Sequence, residues 1–176
     1  MSDVSPSLPP ARYYLSKAAW SGNIGAIHQL LQRGYSIEEN AGGRTPFLWA
    51  VSSGRKIATD LMIAKGADIF KRTADGDNAL ICAVRGDNPE IVQMMVDKGF
   101  DPDEKGSRDK SAMDRAEEGG NAEILKILEE VVAPRRRIAA EQEKARAEEA
   151  RHATSAAAHQ ILQGLMKNRH KGGPRP

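Results

Sequence analysis

At 176 residues, with 40% hydrophobic, 5% aromatic and 28% charged residues, the chain has room for one domain of ordinary size plus an appendage. Two compact catalytic domains do not fit, and so few aromatics suit thin helical layers better than one thick core around a large catalytic cavity. The formal charge of +2 averages an acidic first part, about −4 up to Val131, and a basic tail, about +6 from Val132 onward.

The chain opens on a Ser/Pro-rich stretch with no basic flank and no apolar run of signal-peptide length, so 1–11 reads as a disordered segment. Nowhere does an apolar run approach the roughly 18 residues of a membrane span. The single cysteine, Cys82, excludes an internal disulfide framework and any Cys-pair metal motif, and points to a reducing compartment. Together these predict a soluble, unexported, cytoplasmic protein, with secretion by a specialised system left open.

From Arg12 onward the sequence repeats. Ala18, Ala50, Ala83 and Ala116 recur at a step of ~32–33 residues, followed a few positions later by Gly22, Gly54, Asp87 and Gly120. Gly34, Gly66 and Gly99 keep the same step. Each unit predicts two short helices. In the second unit Thr45 can cap the first helix through its hydroxyl, and Pro46 supplies a pre-set φ at the first helical position; Asn78 and Ser111 can cap likewise. The small pairs Ala18-Ala19 and Ala50-Val51 let first helices lie close, while Ile57, Leu61 and Met62 give the next helix an apolar stripe. Gly34, Gly66 and Gly99 stand where a helix ends and the chain turns through a left-handed conformation.

The stretch Thr45-Pro46-Phe47-Leu48-Trp49-Ala50-Val51-Ser52-Ser53-Gly54, with Leu61-Met62 and Lys65-Gly66-Ala67-Asp68-Ile69, closely resembles the ankyrin consensus. The same frame fits 15–37 and 80–103, and a divergent fourth copy runs over 111–128. The resemblance implies an all-α solenoid of helix-turn-helix pairs with hairpin fingers over 12–131, its repeats at about 12–40, 41–72, 73–105 and 106–131. Departures are Tyr13-Tyr14 in place of Thr-Pro, the consensus histidine as Ser16, Leu48, Ile81 and Asp114 in turn, and a second finger about one residue short. The fourth copy carries Glu117 at a small-residue position and continues with Glu118, Glu123, Glu129 and Glu130, a face costly to bury against another repeat, so it reads as the closing cap.

After Ala133-Pro134 the composition turns to Arg135-Arg136-Arg137 and a glycine-free Ala/Glu/Arg/Lys run, which predicts a C-terminal charged and amphipathic helix over 132–168. Glu141 with Lys144, Glu143 with Arg146 and Glu148 with Arg151 support it at i,i+3. Ala158, Ile161, Leu162, Leu165 and Met166 form an apolar stripe that either packs back on the repeats, pairs with itself or docks into a partner's groove. The stripe is short and its polar face not strongly basic, which argues against membrane insertion. The basic end, 169–176, is expected to be disordered.

Chemistry finds little support. The stretch 101–106, reaching Asp109, mimics a calcium loop, yet Lys105 stands at a ligand position and Ala112 where the bidentate Glu belongs. His28, His152, His159 and His170 lack metal-ligand spacing. No phosphate-binding glycine loop, dinucleotide fingerprint or nucleophile elbow appears, and Cys82 has no sequence-local activating base, so it reads as a small buried hydrophobe. No catalytic residue, cofactor or metal is expected.

What the ankyrin resemblance implies instead is recognition of a partner protein on the concave face. Carried over position by position, that face comprises Trp20, Ser21, Ser52, Ser53, Arg85 and Glu118 on the inner helices and Arg44, Asp75, Asp77, Arg108 and Lys110 on the fingers. Trp20 is a large aromatic at a solvent-facing position, either a contact or a cover for the N-terminal edge beside Tyr13 and Tyr14. Trp49 reads mainly as packing with one edge available. Ile161, Leu162, Leu165 and Met166 are the tail's candidate contact, or a route to self-association. The expectation is an adaptor, inhibitor or immunity-type factor; the alternative is nucleic-acid or anionic-surface binding by the basic tail, against which the lack of interleaved aromatics argues.

Overall fold

The computed structural model describes residues 13–169, and within them it is helical, with one isolated antiparallel bridge between Ala41 and Arg44. The helices pair as α1 (Tyr14–Ser21) with α2 (Ile24–Gln32), α3 (Pro46–Ser52) with α4 (Lys56–Ala64) and α5 (Ala79–Arg85) with α6 (Pro89–Asp97); α7 (Ala112–Gly119) is followed by α8 (Ala122–Arg169). The ends form where local chemistry dictates. The Leu48 N–H donates to Thr45 Oγ1 at 3.3 Å and the Ile81 N–H to Asn78 Oδ1 at 2.9 Å. Ser111 forms a full capping box with Asp114. Gly34, Gly66 and Gly99 sit at φ +84°, +84° and +87°, the left-handed turn expected of them.

The contacts divide the chain after Val132 into two units. In the first, α1 packs on α3, α3 on α5 and α5 on α7, while α2, α4 and α6 form the second row. Short helices at this close spacing need small side chains between them, and Ala18, Ala19, Ala50, Ala83 and Ala116 are buried along the row. Larger residues fill the space between rows: Phe47, Leu48, Leu80, Ile81, Ile91 and Met95 are fully buried, each stabilising by about 2 kcal/mol through burial. Ile57 differs from its expected place in the stripe. It is 71% exposed, because Ala58 and Met62 occupy the inward positions of α4 and leave Ile57 on the opposite side.

Ile124, Leu128 and Val132 bury the first turns of α8 in the same core. The helix expected to begin at 132 is therefore the continuation of the fourth repeat's second helix, running from Ala122 to Arg169 through Pro134. Pro134 removes one backbone donor but its exposed position lets water reach the freed carbonyl. Within the second unit every described side chain from 133 to 155 is exposed, and so are Ile161 and Leu162. The segments expected to be disordered, 1–11 and 169–176, lie outside the described residues, except that Arg169 ends α8. Among the described residues no helix is long and apolar enough to cross a membrane.

Candidate functional site

The first helices and the loops before them carry most of the residues expected to contact a partner, and the structure gathers some of these into two chemically different places. The first is an apolar groove of about 300 Å3 lined by Tyr13, Ser16, Lys17, Trp20, Ala41, Gly42 and Trp49. Trp20 is 53% exposed and Tyr13 68%. Trp49 is half-buried and held in one orientation: its Nε1–H donates to the Ala41 carbonyl at 2.8 Å, and the Arg44 guanidinium lies 4.8 Å over its ring. The Ser16 hydroxyl, at the position of the consensus histidine, is buried with no hydrogen-bond partner among the described residues. The groove thus offers aromatic faces with almost no polar surface between them, a lining suited to an apolar side chain.

The second place is a polar pocket of about 590 Å3 lined by Asp75, Arg85, Ser107, Arg108 and Arg115. Its floor is Asp77. This residue was expected on the exposed finger, and the structure corrects that: Asp77 is fully buried. The Asp77 N–H donates to Thr73 Oγ1 at 3.0 Å and the Thr73 N–H to the Asp77 carbonyl at 2.9 Å, a tight turn that directs the carboxylate toward the next repeat. There it accepts from the Ser107 N–H at 2.8 Å, from Arg85 Nη2 at 2.5 Å and from Arg115 Nη2 at 3.4 Å. Burial alone would raise its pKa; the Ser107 amide and hydroxyl, with the charges of Arg115 and Arg85, outweigh burial and hold the carboxyl below the ordinary range. Gly106 permits this approach, since a Cβ there would lie 2.6 Å from Ile81 Cδ1 and 2.7 Å from Asp77 Oδ1.

The remaining expected contacts fall elsewhere. Ser21 lines a separate hollow beside α2, its hydroxyl donating to the Ala18 carbonyl at 3.1 Å. Ser52 and Ser53 are half-buried and donate to the Trp49 carbonyl at 3.3 and 2.5 Å, which occupies their donors within their own helix. Lys110 and Glu118 pair with each other along a shallow depression beside the fourth finger. Cys82 is buried, and burial pushes its thiol up to about 11, so it carries no thiolate chemistry near neutral pH. Among the described residues no group of three or more His, Cys, Asp or Glu is placed to hold a metal ion. Of the tail contacts, Ile161 and Leu162 are exposed, and the side chains of Leu165 and Met166 lie outside the described residues.

Sequence reasoning missed Tyr13, Ser16 and Lys17 in the groove and Ser107 and Arg115 in the pocket. A signal was present for two of them. Lys17, Trp49, Cys82 and Arg115 each stand one position before the small-residue series Ala18, Ala50, Ala83 and Ala116, so Lys17 and Arg115 share the place in the repeat that Trp49 holds.

Stacked helix pairs, glycine-ended second helices and finger loops that pair with their neighbours define a repeat solenoid. The chain belongs to the ankyrin-repeat family: the family model for ankyrin repeats (3 copies) matches residues 15–106 and 58–134, together more than half of the chain. Ankyrin repeats serve as protein-interaction modules. The chain is also 34% identical over 82 residues to the palmitoyltransferase AKR1 of Lachancea kluyveri. That stretch is 46% of this chain and 11% of the length of that protein.

Proposed function

We propose that the protein is a non-enzymatic binding module, an adaptor, inhibitor or immunity-type factor of the cytoplasm, which captures one partner protein on the face formed by its first helices and fingers. The observation that carries this reading is the aromatic groove. Large apolar side chains on a protein surface normally scatter singly, whereas Trp20, Tyr13 and one edge of Trp49 converge on one hollow. Aromatic anchors in pre-formed hollows dominate interface energetics, and Trp49, fixed by Ala41 and Arg44, loses little freedom on binding. The exposed Ile161 and Leu162 offer a second contact. A binding role also accommodates the similarity to the palmitoyltransferase AKR1, which covers 11% of that protein.

The test compares quantitative capture by the parent chain, Trp20→Ala and Ile57→Ala. Ile57 is more exposed than Trp20 but lies outside the groove, so it controls for loss of nonspecific apolar surface. Trp20→Ala is expected to reduce one specific partner by more than about tenfold, the effect of removing a central anchor, with an unchanged melting temperature. Equal partner recovery by all three proteins would refute the placement of the site.

A further inference from the structure

We propose that the pocket above Asp77 seats a single carboxylate side chain of the partner polypeptide. The inference rests on the protein-binding reading above and names the chemistry of one part of the contact.

Charge selects the ligand. Three guanidinium groups, from Arg85, Arg108 and Arg115, are set against two carboxylates, Asp75 in the lining and Asp77 behind it, which leaves one positive charge in excess. One carboxylate neutralises it. A phosphate group, close to doubly charged at neutral pH, overshoots and meets Asp75.

Donors point the same way. The contacts of Arg115 to Asp77 and Ser107 all leave from Nη2, while its Nε–H is buried and has no partner among the described residues. That atom is closed to solvent, so the donors open to a ligand are those of Arg85 and Arg108, whose side chains line the pocket. Arg85 likewise engages Asp77 through Nη2. Arg108 makes no hydrogen bond or ion pair within the described residues, and it stands at φ 58°, a left-handed conformation that non-glycine residues adopt rarely. Asp77 orients Arg85 and Arg115 before any ligand arrives, and the planar fork of a guanidinium matches a carboxylate in two-point geometry. The arrangement spans two repeats: Asp77 and Arg85 come from the third, and Ser107, Arg108 and Arg115 from the fourth.

The experiment uses the full chain labelled with 15N-arginine and follows the Arg85 Nε–H signal at constant ionic strength. Three probes are titrated: a blocked pentapeptide alternating alanine and glutamate, its glutamine counterpart, and inorganic phosphate. The expected result is a saturable shift with the glutamate peptide, none with the glutamine peptide, and weaker binding of phosphate. Arg108→Asn removes a charge while keeping a residue that tolerates the left-handed backbone, and it should weaken the glutamate peptide about tenfold without lowering the melting temperature. An unmoved signal, an equal response to the glutamine peptide, or phosphate binding as tightly as the glutamate peptide would each overturn the assignment. Partner capture separates this claim from the broader one. Loss with Trp20→Ala but not with Arg108→Asn refutes the carboxylate pocket alone, whereas retention by both variants refutes the binding face as well.

Discussion

Asp77→Asn isolates what the buried carboxylate contributes to joining the third and fourth repeats. The amide keeps the shape and the oxygen that accepts from the Ser107 N–H at 2.8 Å, but removes the negative charge facing Arg85 and Arg115. Deleting one partner of a fully buried ion pair costs about 3–5 kcal/mol. Here the Arg85 side chain is 35% exposed and that of Arg115 17%, so water recovers part of the loss, and about 2 kcal/mol is expected. For a unit of this size that lowers the melting temperature by about 8 °C. The loss should be local. Each repeat contacts only its neighbours, so amide exchange should accelerate over 106–132 and remain near parental values in α1 to α4. The pH dependence has a definite sign: Asp77 titrates lower in the folded state than unfolded, so its contribution is present above the unfolded carboxylate value of about 3.9 and fades as pH falls through the lower folded value. The gap between parent and variant should therefore close in acid. Urea and thermal melts read by circular dichroism, with Asp75→Asn as an exposed control two residues away, measure it. If the two variants melt alike, Asp77 is not the hub that its contacts imply.

Two further outcomes follow from packing. Cys82 should resist alkylation in the folded protein and react at the rate of global unfolding, and stability should fall as pH rises from 9 toward 11, because the unfolded thiol ionises first while the buried one keeps its proton; thiol-reagent kinetics across that range check both. Gly106→Ala should destabilise by about 1–3 kcal/mol, since its Cβ meets Ile81 and Asp77, whereas Gly119→Ala, inside α7 with open space around it, should stabilise by about 0.5–1 kcal/mol; denaturant midpoints separate the two signs.

Much of the fold was legible because ankyrin units are governed by local chemistry. Thr45, Asn78 and Ser111 cap helices through groups three residues away, Pro46 sits where its missing donor is harmless, and Gly34, Gly66 and Gly99 turn the chain without help from distant residues. Period, helix pairing and the small-residue row can therefore be read along one dimension. Family position also placed Trp20, Trp49 and Arg85 near the places where the structure finds a groove or a pocket.

Other features depended on which residue of a neighbouring repeat each side chain meets. Asp77 reads like any polar finger residue until Ser107, Arg85 and Arg115 close over it, and that environment exists only after two repeats have docked. Ile57 and Met62 are equally apolar in sequence, yet the rotation of α4 against the core buries one and exposes the other. Composition marked a change at Pro134 that the backbone does not make, because Ile124, Leu128 and Val132 anchor a helix already several turns long before it reaches the proline. Residue identity thus determined where helices begin, turn and repeat, through interactions a few positions apart. Which polar groups are buried, paired or left open was decided by tertiary contacts, from the eight residues that separate Asp77 and Arg85 to the full repeat that separates Asp77 from Ser107 and Arg115.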